Sequence, residues 1–143
     1  MKLQQELIET FADNMVAYYR AHSCHLNVTG RNFYSDHKLL NKIYDDLQDE
    51  IDTLGEIIRT LNITVPETLQ DILDTADLKE DTTLGSADEL LQITYDAIEH
   101  LISSYKDIEE LADTEEYEHI GNHAQDRILT LEKFCWQLRS TLE

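Results

Sequence analysis

Apolar residues recur three and four positions apart along almost the whole chain, which is the spacing of amphipathic helices. A first long helix is predicted over residues 3–28. A break at 30–32 precedes a second, predicted to run to about residue 62, with Ser35 or Asp36 as its N-cap. The first inward stripe comprises Leu3, Leu7, Phe11, Met15, Tyr18, His22 and His25, and the second comprises Leu40, Ile43, Leu47, Ile51, Leu54, Ile58 and Leu61.

The second half of the chain predicts one short helix and two more long ones. Pro66 suits the first turn of a short helix over 66–73, and the polar segment 74–85 reads as a loop. Ser86 and Glu89 have the spacing of a capping box that opens the third long helix, and Thr114 can cap the fourth. Their inward stripes are Leu90, Leu91, Ile98, Leu101, Tyr105 and Ile108, then Ile120, Ile128, Leu131, Cys135, Leu138 and Leu142.

These elements predict an all-α fold in a single domain, residues 1–143. A chain of 143 residues suits one core, and its 4 glycines and 1 proline are too few for a turn-rich β fold. A short helix in the connection between the second and third long helices indicates a four-helix bundle with one long crossover, the ferritin-like layout. The same pattern would also suit a bundle without chemistry.

The acidic balance limits the partners of the chain. With 30 acidic and 11 basic residues the formal net charge is −19, which repels nucleic acid and anionic lipid and attracts cations. No apolar stretch approaches the roughly 18 residues that span a bilayer, and residues 1–9 do not form a secretory signal. We therefore expect a cytoplasmic protein in which Cys24 and Cys135 are buried free thiols.

Four residues are candidates for chemistry: His25, His37, Asp52 and Glu56. His37 and Asp52 are separated by roughly 22 Å along one helix, at about 1.5 Å per residue, so they cannot bind one metal within a chain. Antiparallel pairing of two copies about a two-fold axis would bring them together in two identical sites. Imidazole with carboxylate suits Fe(II), and also Zn or Mn. Spacing alone leaves open that the histidines are structural and the carboxylates merely face water.

A rival motif lies near the last helix. Glu116 and His119 match the Glu-x-x-His pair of di-iron bundles, but such sites need a second pair and further carboxylates. No second pair occurs, and the first two helices supply no obvious carboxylates at the same depth. His119 and His123, four apart, form another pair that could chelate a metal. Neither cysteine has an activating arrangement, and no Gly-rich phosphate loop occurs.

Several segments together resemble one family. Residues 22–37, HSCHLNVTGRNFYSDH, are similar to the signature of the Dps proteins, or miniferritins. Tyr44 and the pair Asp52 and Glu56 fall where that family has Y and D-x-x-x-E, and residues 132–139, EKFCWQLR, resemble its E-K-x-x-W-M-L-R. The resemblance covers nearly the whole chain, and the spacing of the four candidate ligands agrees with the family without a gap.

The resemblance implies a ferroxidase that stores iron. By carry-over, His25 and His37 of one subunit and Asp52 and Glu56 of its two-fold mate are the catalytic iron ligands, with zinc or manganese as substitutes for iron. Twelve subunits would form a hollow shell in which Fe(II), oxidised preferentially by hydrogen peroxide, collects as ferric mineral and so protects against oxidative damage. The alternatives are a DNA-compacting relative with little iron chemistry and a non-catalytic helical assembly protein. Neither a membrane nor DNA is an expected partner.

The chain also departs from the family pattern. Leu26 replaces a tryptophan beside the first ligand and so removes a nearby aromatic electron donor, for which the candidate substitutes are Tyr18, Tyr19 and Tyr34. Asn41 and Lys42 stand where two glutamates associated with mineral nucleation are frequent. Nucleation is then weaker or moved to other carboxylates, such as Asp45, Asp46 and Asp49.

Two further expectations follow from the resemblance. The family builds an acidic three-fold pore at the start of its last long helix, where Asp113 and Glu118 match and Asn122 replaces a third acid. DNA-compacting relatives often use a basic tail. Here only Met1 and Lys2 precede the first helical stripe, and residues 140–143 carry no basic run, so we expect no binding of DNA through a tail.

Overall fold

The computed structural model describes residues 2–143, in which it places five α-helices and no strand. Met1, invoked in the expectation about an N-terminal tail, lies outside the described residues. The helices are α1 Lys2–Asn27, α2 Phe33–Thr60, α3 Leu69–Thr75, α4 Ala87–Thr114 and α5 Glu118–Leu142. The predicted all-α fold, with four long helices and a short one in the second connection, is confirmed.

Contacts between helices establish the antiparallel neighbours of the bundle. The side-chain amide of Asn14 on α1 donates to the Leu47 carbonyl on α2 at 2.9 Å. The start of α1 meets the end of α4, where the Leu3 N–H donates to the Glu115 carboxylate at 2.9 Å. The connection from α2 to α4 carries α3, which packs against α1. No helix in residues 2–143 is long and apolar enough to cross a membrane.

The predicted inward stripes form the core. The stripe of α4 is buried completely, as are most of the predicted positions on the other long helices. Both cysteines are buried and neither forms a disulfide, as expected. The predicted inward residues that remain half-buried are Met15, Tyr18, His22, Ile51, Leu61, Ile128 and Leu142.

The predicted N-cap of α2 is wrong. Asn32 occupies the N-cap position, after a turn in which Gly30 adopts a φ of 115° and its carbonyl accepts the N–H of Phe33 at 3.1 Å. Ser35 lies inside the first turn and its hydroxyl donates to the Asn32 carbonyl at 3.1 Å, while Asp36 is buried in the same turn. The left-handed conformation that glycine allows therefore starts the helix three or four residues earlier than predicted.

The short helix begins later than predicted, because a better cap follows Pro66. The hydroxyl of Thr68 accepts the N–H of Asp71 at 3.1 Å and so caps α3, leaving the proline outside the helix. The predicted capping box of α4 is confirmed: Ser86 and Glu89 accept each other's backbone N–H at 3.2 and 3.1 Å.

Thr114 does not cap α5. It is the last residue of α4, and its hydroxyl donates back to the Glu110 carbonyl at 3.1 Å. The chain then reverses through Glu116, whose φ is 66°, before α5 begins at Glu118. The left-handed residue, which the pattern did not indicate, fixes the turn and moves the start of the last helix.

Candidate metal site

The two predicted histidine ligands meet at the corner between α1 and α2. His25 is buried near the end of α1, and half-buried His37 lies in the first turns of α2. Their rings stack with centroids 3.7 Å apart and planes inclined by 17°. Nδ1 of His25 lies 2.8 Å from the His37 carbonyl oxygen, and Nδ1 of His37 lies 2.7 Å from the His25 carbonyl oxygen.

These reciprocal contacts fix which nitrogen of each ring carries the hydrogen. A carbonyl oxygen only accepts, so each Nδ1 is the donor and each neutral ring keeps its lone pair on Nε2. Metal-binding histidines are commonly held in this way, with one nitrogen donating to a backbone carbonyl and the other on the metal. Burial, the largest influence, lowers the pKa of His25 and so favours the neutral form that can bind a cation.

The two predicted carboxylate ligands lie together further along α2. Asp52 and Glu56 are exposed one turn apart, and the hydrogen bond to Asp52, together with its charge, raises the pKa of Glu56. A cation bound between the two carboxylates would relieve this repulsion. They line a groove of about 470 Å³ whose other residues are Phe11, Gln48, Ile51, Gly55, Arg59 and Val65.

The structure brings the candidate ligands together as two pairs and not as one site. His37 and Asp52 remain roughly 22 Å apart on the continuous helix α2. Within residues 2–143 no cluster of three or more histidine, cysteine, aspartate or glutamate side chains could hold a metal ion. Within one chain the described residues therefore offer two imidazoles at one place and two carboxylates at another.

The rival motif near the last helix is not a ligand pair. Glu116 lies in the turn before α5, so it does not share a helical face with His119. His119 is exposed, whereas Nε2 of His123 lies 2.9 Å from a carboxylate oxygen of Glu50. This contact directs one ring nitrogen of His123 towards the interior of the bundle, whereas His119 faces solvent.

A buried polar network surrounds Glu50, contrary to the prediction that α2 supplies no carboxylate at this depth. Glu50 accepts hydrogen bonds from Tyr105 and His123, and Arg127 Nε lies 3.4 Å away. Arg127 also binds Asp46 through two hydrogen bonds of 3.0 and 2.7 Å. The guanidinium group of Arg127 already pairs with both carboxylates, so a metal cation would have to displace it. The sequence signal was the acidic and basic residues that interrupt apolar stretches, but their pairing joins residues distant in sequence.

Aromatic side chains also surround the histidine pair, and among them is Tyr18, one of the three tyrosines named above as candidate electron donors. The Tyr18 hydroxyl lies 2.8 Å from Nδ1 of His22. The His22 ring stacks on Tyr44 at a centroid distance of 3.9 Å, with planes only 2° apart, and Tyr44 meets the edge of His25 at 4.9 Å. The available signal was the four-residue spacing of Tyr18 and His22, which places both on one helical face.

The predicted pore residues share one depression on the surface. Asp113 and Glu118 line a cavity of about 510 Å³ at the turn between α4 and α5, together with Asn122. Its remaining residues are Lys106, Glu109, Glu110, Gly121 and Gln125, so acidic side chains outnumber basic ones.

Comparison with known sequences gives one consistent result. The model of the ferritin-like domain matches residues 4–143. A DNA protection during starvation protein from Helicobacter pylori is 30% identical over 144 residues, covering 99% of each chain. A protein of the same name from Brevibacillus brevis is 28% identical and covers 97% of each chain.

Solved structures agree in fold over the same length. A Dps protein from Bacillus brevis superposes with a TM-score of 0.93 at 28% identity, covering 100% of this chain and 99% of its own. A Dps protein from Vibrio cholerae gives a TM-score of 0.94 at 31% identity, covering 99% of this chain and 89% of its own. That protein is described as a member of a broad superfamily of ferritin-like diiron-carboxylate proteins.

Proposed function

This chain belongs to the Dps family of ferritin-like proteins, and we propose that it oxidises Fe(II) and stores the ferric product inside a shell of its own copies. The observation that carries the proposal is the reciprocal hydrogen bonding of His25 and His37, which holds both imidazole rings in a fixed orientation with Nε2 available as a metal ligand. Iron is the substrate and the stored cargo. Hydrogen peroxide is the proposed oxidant, because it takes up the two electrons that two ferrous ions release.

The site is proposed to form between two subunits. The separation of His37 and Asp52 along α2 requires a second molecule, and antiparallel α2 helices about a two-fold axis bring each histidine pair to the partner's carboxylates. Apolar side chains exposed on α1 and α3 support association with another copy, namely Tyr19, Leu69 and Leu73. Repetition of such contacts would give the twelve-subunit shell that the family resemblance implies.

In this site the residues have distinct tasks. Nε2 of His25 and of His37 binds Fe(II), for which imidazole is a suitable ligand. The partner's Asp52 and the partner's Glu56 supply negative charge, which favours the ferric product over the ferrous substrate. Two ferrous ions, one peroxide and two protons then give two ferric ions and two waters. Zn²⁺ would take the same ligands, but it has no redox chemistry and would act as an inhibitor.

The decisive experiment loads the assembled protein with Fe(II) without oxygen and then adds peroxide. We expect ferric absorbance to grow while the particle keeps its size, as measured by light scattering. His37→Ala should slow this growth strongly, whereas His119→Ala, at an exposed histidine outside the site, should not. Wild-type protein that accelerates iron oxidation no more than buffer would refute the proposed function.

A further inference from the structure

Three layers of polar side chains form a seam between the antiparallel helices α1 and α4. On each helix the three positions are four and then three residues apart, which places them on one face. This polar seam consists of Glu6, Thr10 and Asp13 on α1 and of His100, Ser104 and Asp107 on α4. At one end Nε2 of His100 lies 2.8 Å from a carboxylate oxygen of Asp13. Antiparallel packing then places Glu6 opposite Asp107 at the other end.

The Asp13 end of the polar seam has its hydrogen bonds in place. One carboxylate oxygen of the buried Asp13 accepts the N–H of Leu78 at 2.8 Å, and the other meets His100. In the middle layer the hydroxyl of Ser104 donates to the His100 carbonyl at 3.2 Å. This end of the seam therefore ties the segment before α4 to α1, and both carboxylate oxygens already have partners.

The Glu6 end of the polar seam carries negative charge without a counter-charge. Within residues 2–143 no ion pair joins Glu6 or Asp107 to a lysine, an arginine or a histidine. Burial of Glu6, and then the charge of Asp107, raises the pKa of Glu6 to about 7, and the charges of Glu9 and Asp77 act in the same direction. The half-buried carboxylate thus lies in a negative potential that a bound cation would relieve.

A hydroxyl in the middle layer points independently to a ligand. Thr10 is completely buried, and its Oγ1 has no hydrogen-bond partner. A buried oxygen in this situation destabilises the fold unless something binds it. Thr10 lies one helical turn from Glu6 on the same face of α1, so oxygens of both side chains can reach one position. The unpartnered hydroxyl and the excess of negative charge indicate the same kind of ligand, a cation that oxygen binds.

We propose that Glu6, Asp107 and Thr10 bind one hard divalent cation of the Mg²⁺ type, held by two carboxylates, one hydroxyl and water. Oxygen ligands suit Mg²⁺ and Mn²⁺, and Mg²⁺ usually keeps several waters when one or two carboxylates bind it. Such a site needs fewer than three acidic or histidine ligands, in agreement with the lack of larger clusters in the described chain. The cation fastens the first turns of α1 to the last turns of α4, where the Leu3 N–H already donates to Glu115.

Binding is tested with Mn²⁺, a paramagnetic probe for sites of this type. It is added to assembled protein that chelator has freed of metal, and the unbound ion is counted by electron paramagnetic resonance. Wild type should bind one more ion per subunit than Glu6→Gln or Asp107→Asn, whereas Asp126→Asn, at an exposed acid of α5, should match wild type. Crystals soaked in Mn²⁺ should show anomalous scattering between Glu6 and Asp107. Equal stoichiometry in wild type and Glu6→Gln, or no anomalous peak between the two carboxylates, overturns the proposal.

A third variant tests the hydroxyl. Thr10→Val keeps the shape of the side chain but removes its oxygen. Without divalent cations this variant should be at least as stable as wild type, because the hydroxyl that it loses has no partner. Mg²⁺ should raise the midpoint of thermal unfolding less in Thr10→Val than in wild type, since a ligand stabilises the folded state that binds it. Either an equal rise in both proteins, or a Thr10→Val protein that is less stable without Mg²⁺, contradicts the assignment of Thr10.

Discussion

Arg127 on α5 and Asp46 on α2 are joined by two parallel hydrogen bonds of 3.0 and 2.7 Å, and the same guanidinium lies 3.4 Å from Glu50. Because both Arg127 and Glu50 are buried, Arg127→Met leaves carboxylates without a counter-charge inside the bundle. We expect the free energy of unfolding to fall by about 3 kcal/mol or more, measured by chemical denaturation with circular dichroism.

Two controls accompany this variant. Arg31→Met removes the same charge from an exposed position and should change the unfolding midpoint little. Adding Glu50→Gln to Arg127→Met removes one unpaired charge and should recover part of the loss. An Arg127→Met protein as stable as wild type would mean that the network contributes nothing to the fold.

Mixing two inactive variants tests whether the metal site is shared. His37→Ala and Asp52→Ala should each slow iron oxidation strongly. In a mixed two-fold pair one site carries both substitutions and the other carries neither, so activity should return in part. The mixed composition must be verified by mass spectrometry. Verified mixed oligomers without recovery would contradict a site formed between subunits.

The stability of the protein should depend on Glu6 near neutral pH. Burial, and then the charge of Asp107, raises the pKa of Glu6 from 4.5 to about 7. Between these values the folded state holds a proton that the unfolded chain has lost, so stability falls as pH rises through this window and levels off above it. Because Glu6 is only half-buried, solvent screening keeps the slope below about 1.4 kcal/mol per pH unit.

The substitution Glu6→Gln should remove this dependence of stability on pH. Thermal unfolding at about pH 5 and about pH 8 should show the variant gaining stability relative to wild type mainly at the higher pH. Glu67→Gln, at an exposed position, should give equal differences at both values. An equal effect of Glu6→Gln at both pH values would show that the carboxyl titrates alike in the folded and unfolded states.

The depression at Asp113 and Glu118 should admit iron. Carboxylates at a narrow entrance lower the electrostatic barrier to a cation, and salt screens this effect. Asp113→Asn combined with Glu118→Gln should slow Fe(II) uptake at low ionic strength and matter less at high ionic strength. Stopped-flow absorbance measures the rate, and an unchanged rate at low salt would place the entrance elsewhere.

The protein should not bind duplex DNA directly. Nonspecific affinity arises mainly from lysine and arginine displacing counterions from phosphate, and a charge of −19 per subunit opposes it. Metal-free protein, with chelator present to exclude bridging cations, should not retard DNA in a gel at ~50 mM salt. Retardation that disappears as salt rises would restore the DNA-compacting alternative.

The long helices could be predicted because their signals are local. Leu90, Ile98 and Tyr105 repeat at helical spacing, and the capping box of Ser86 needs only a partner three residues away. The starts of α2 and α5 were misplaced because several polar residues precede each helix and any of them could cap it. Left-handed backbone at Gly30 and Glu116 decides between them, and a side-chain pattern does not show it.

The sequence also predicted which candidate ligands lie close together in the chain. The nearness of His25 and His37 follows from a short turn between two helices, and the one-turn spacing of Asp52 and Glu56 follows from helix geometry. The reciprocal bonds to backbone carbonyls could not be predicted, since they depend on the angle between α1 and α2. The network around Glu50 was missed because its partners come from helices distant in sequence.

The length of α2 between His37 and Asp52 has a consequence for synthesis in the cell. If the proposed site forms between two-fold mates, a newly made subunit holds each half of it but cannot close it, so by itself it would be catalytically silent. Under this proposal the first oxidation of iron has to wait until two subunits have paired. The separation of His37 and Asp52 would thus couple the onset of chemistry to the first step of assembly.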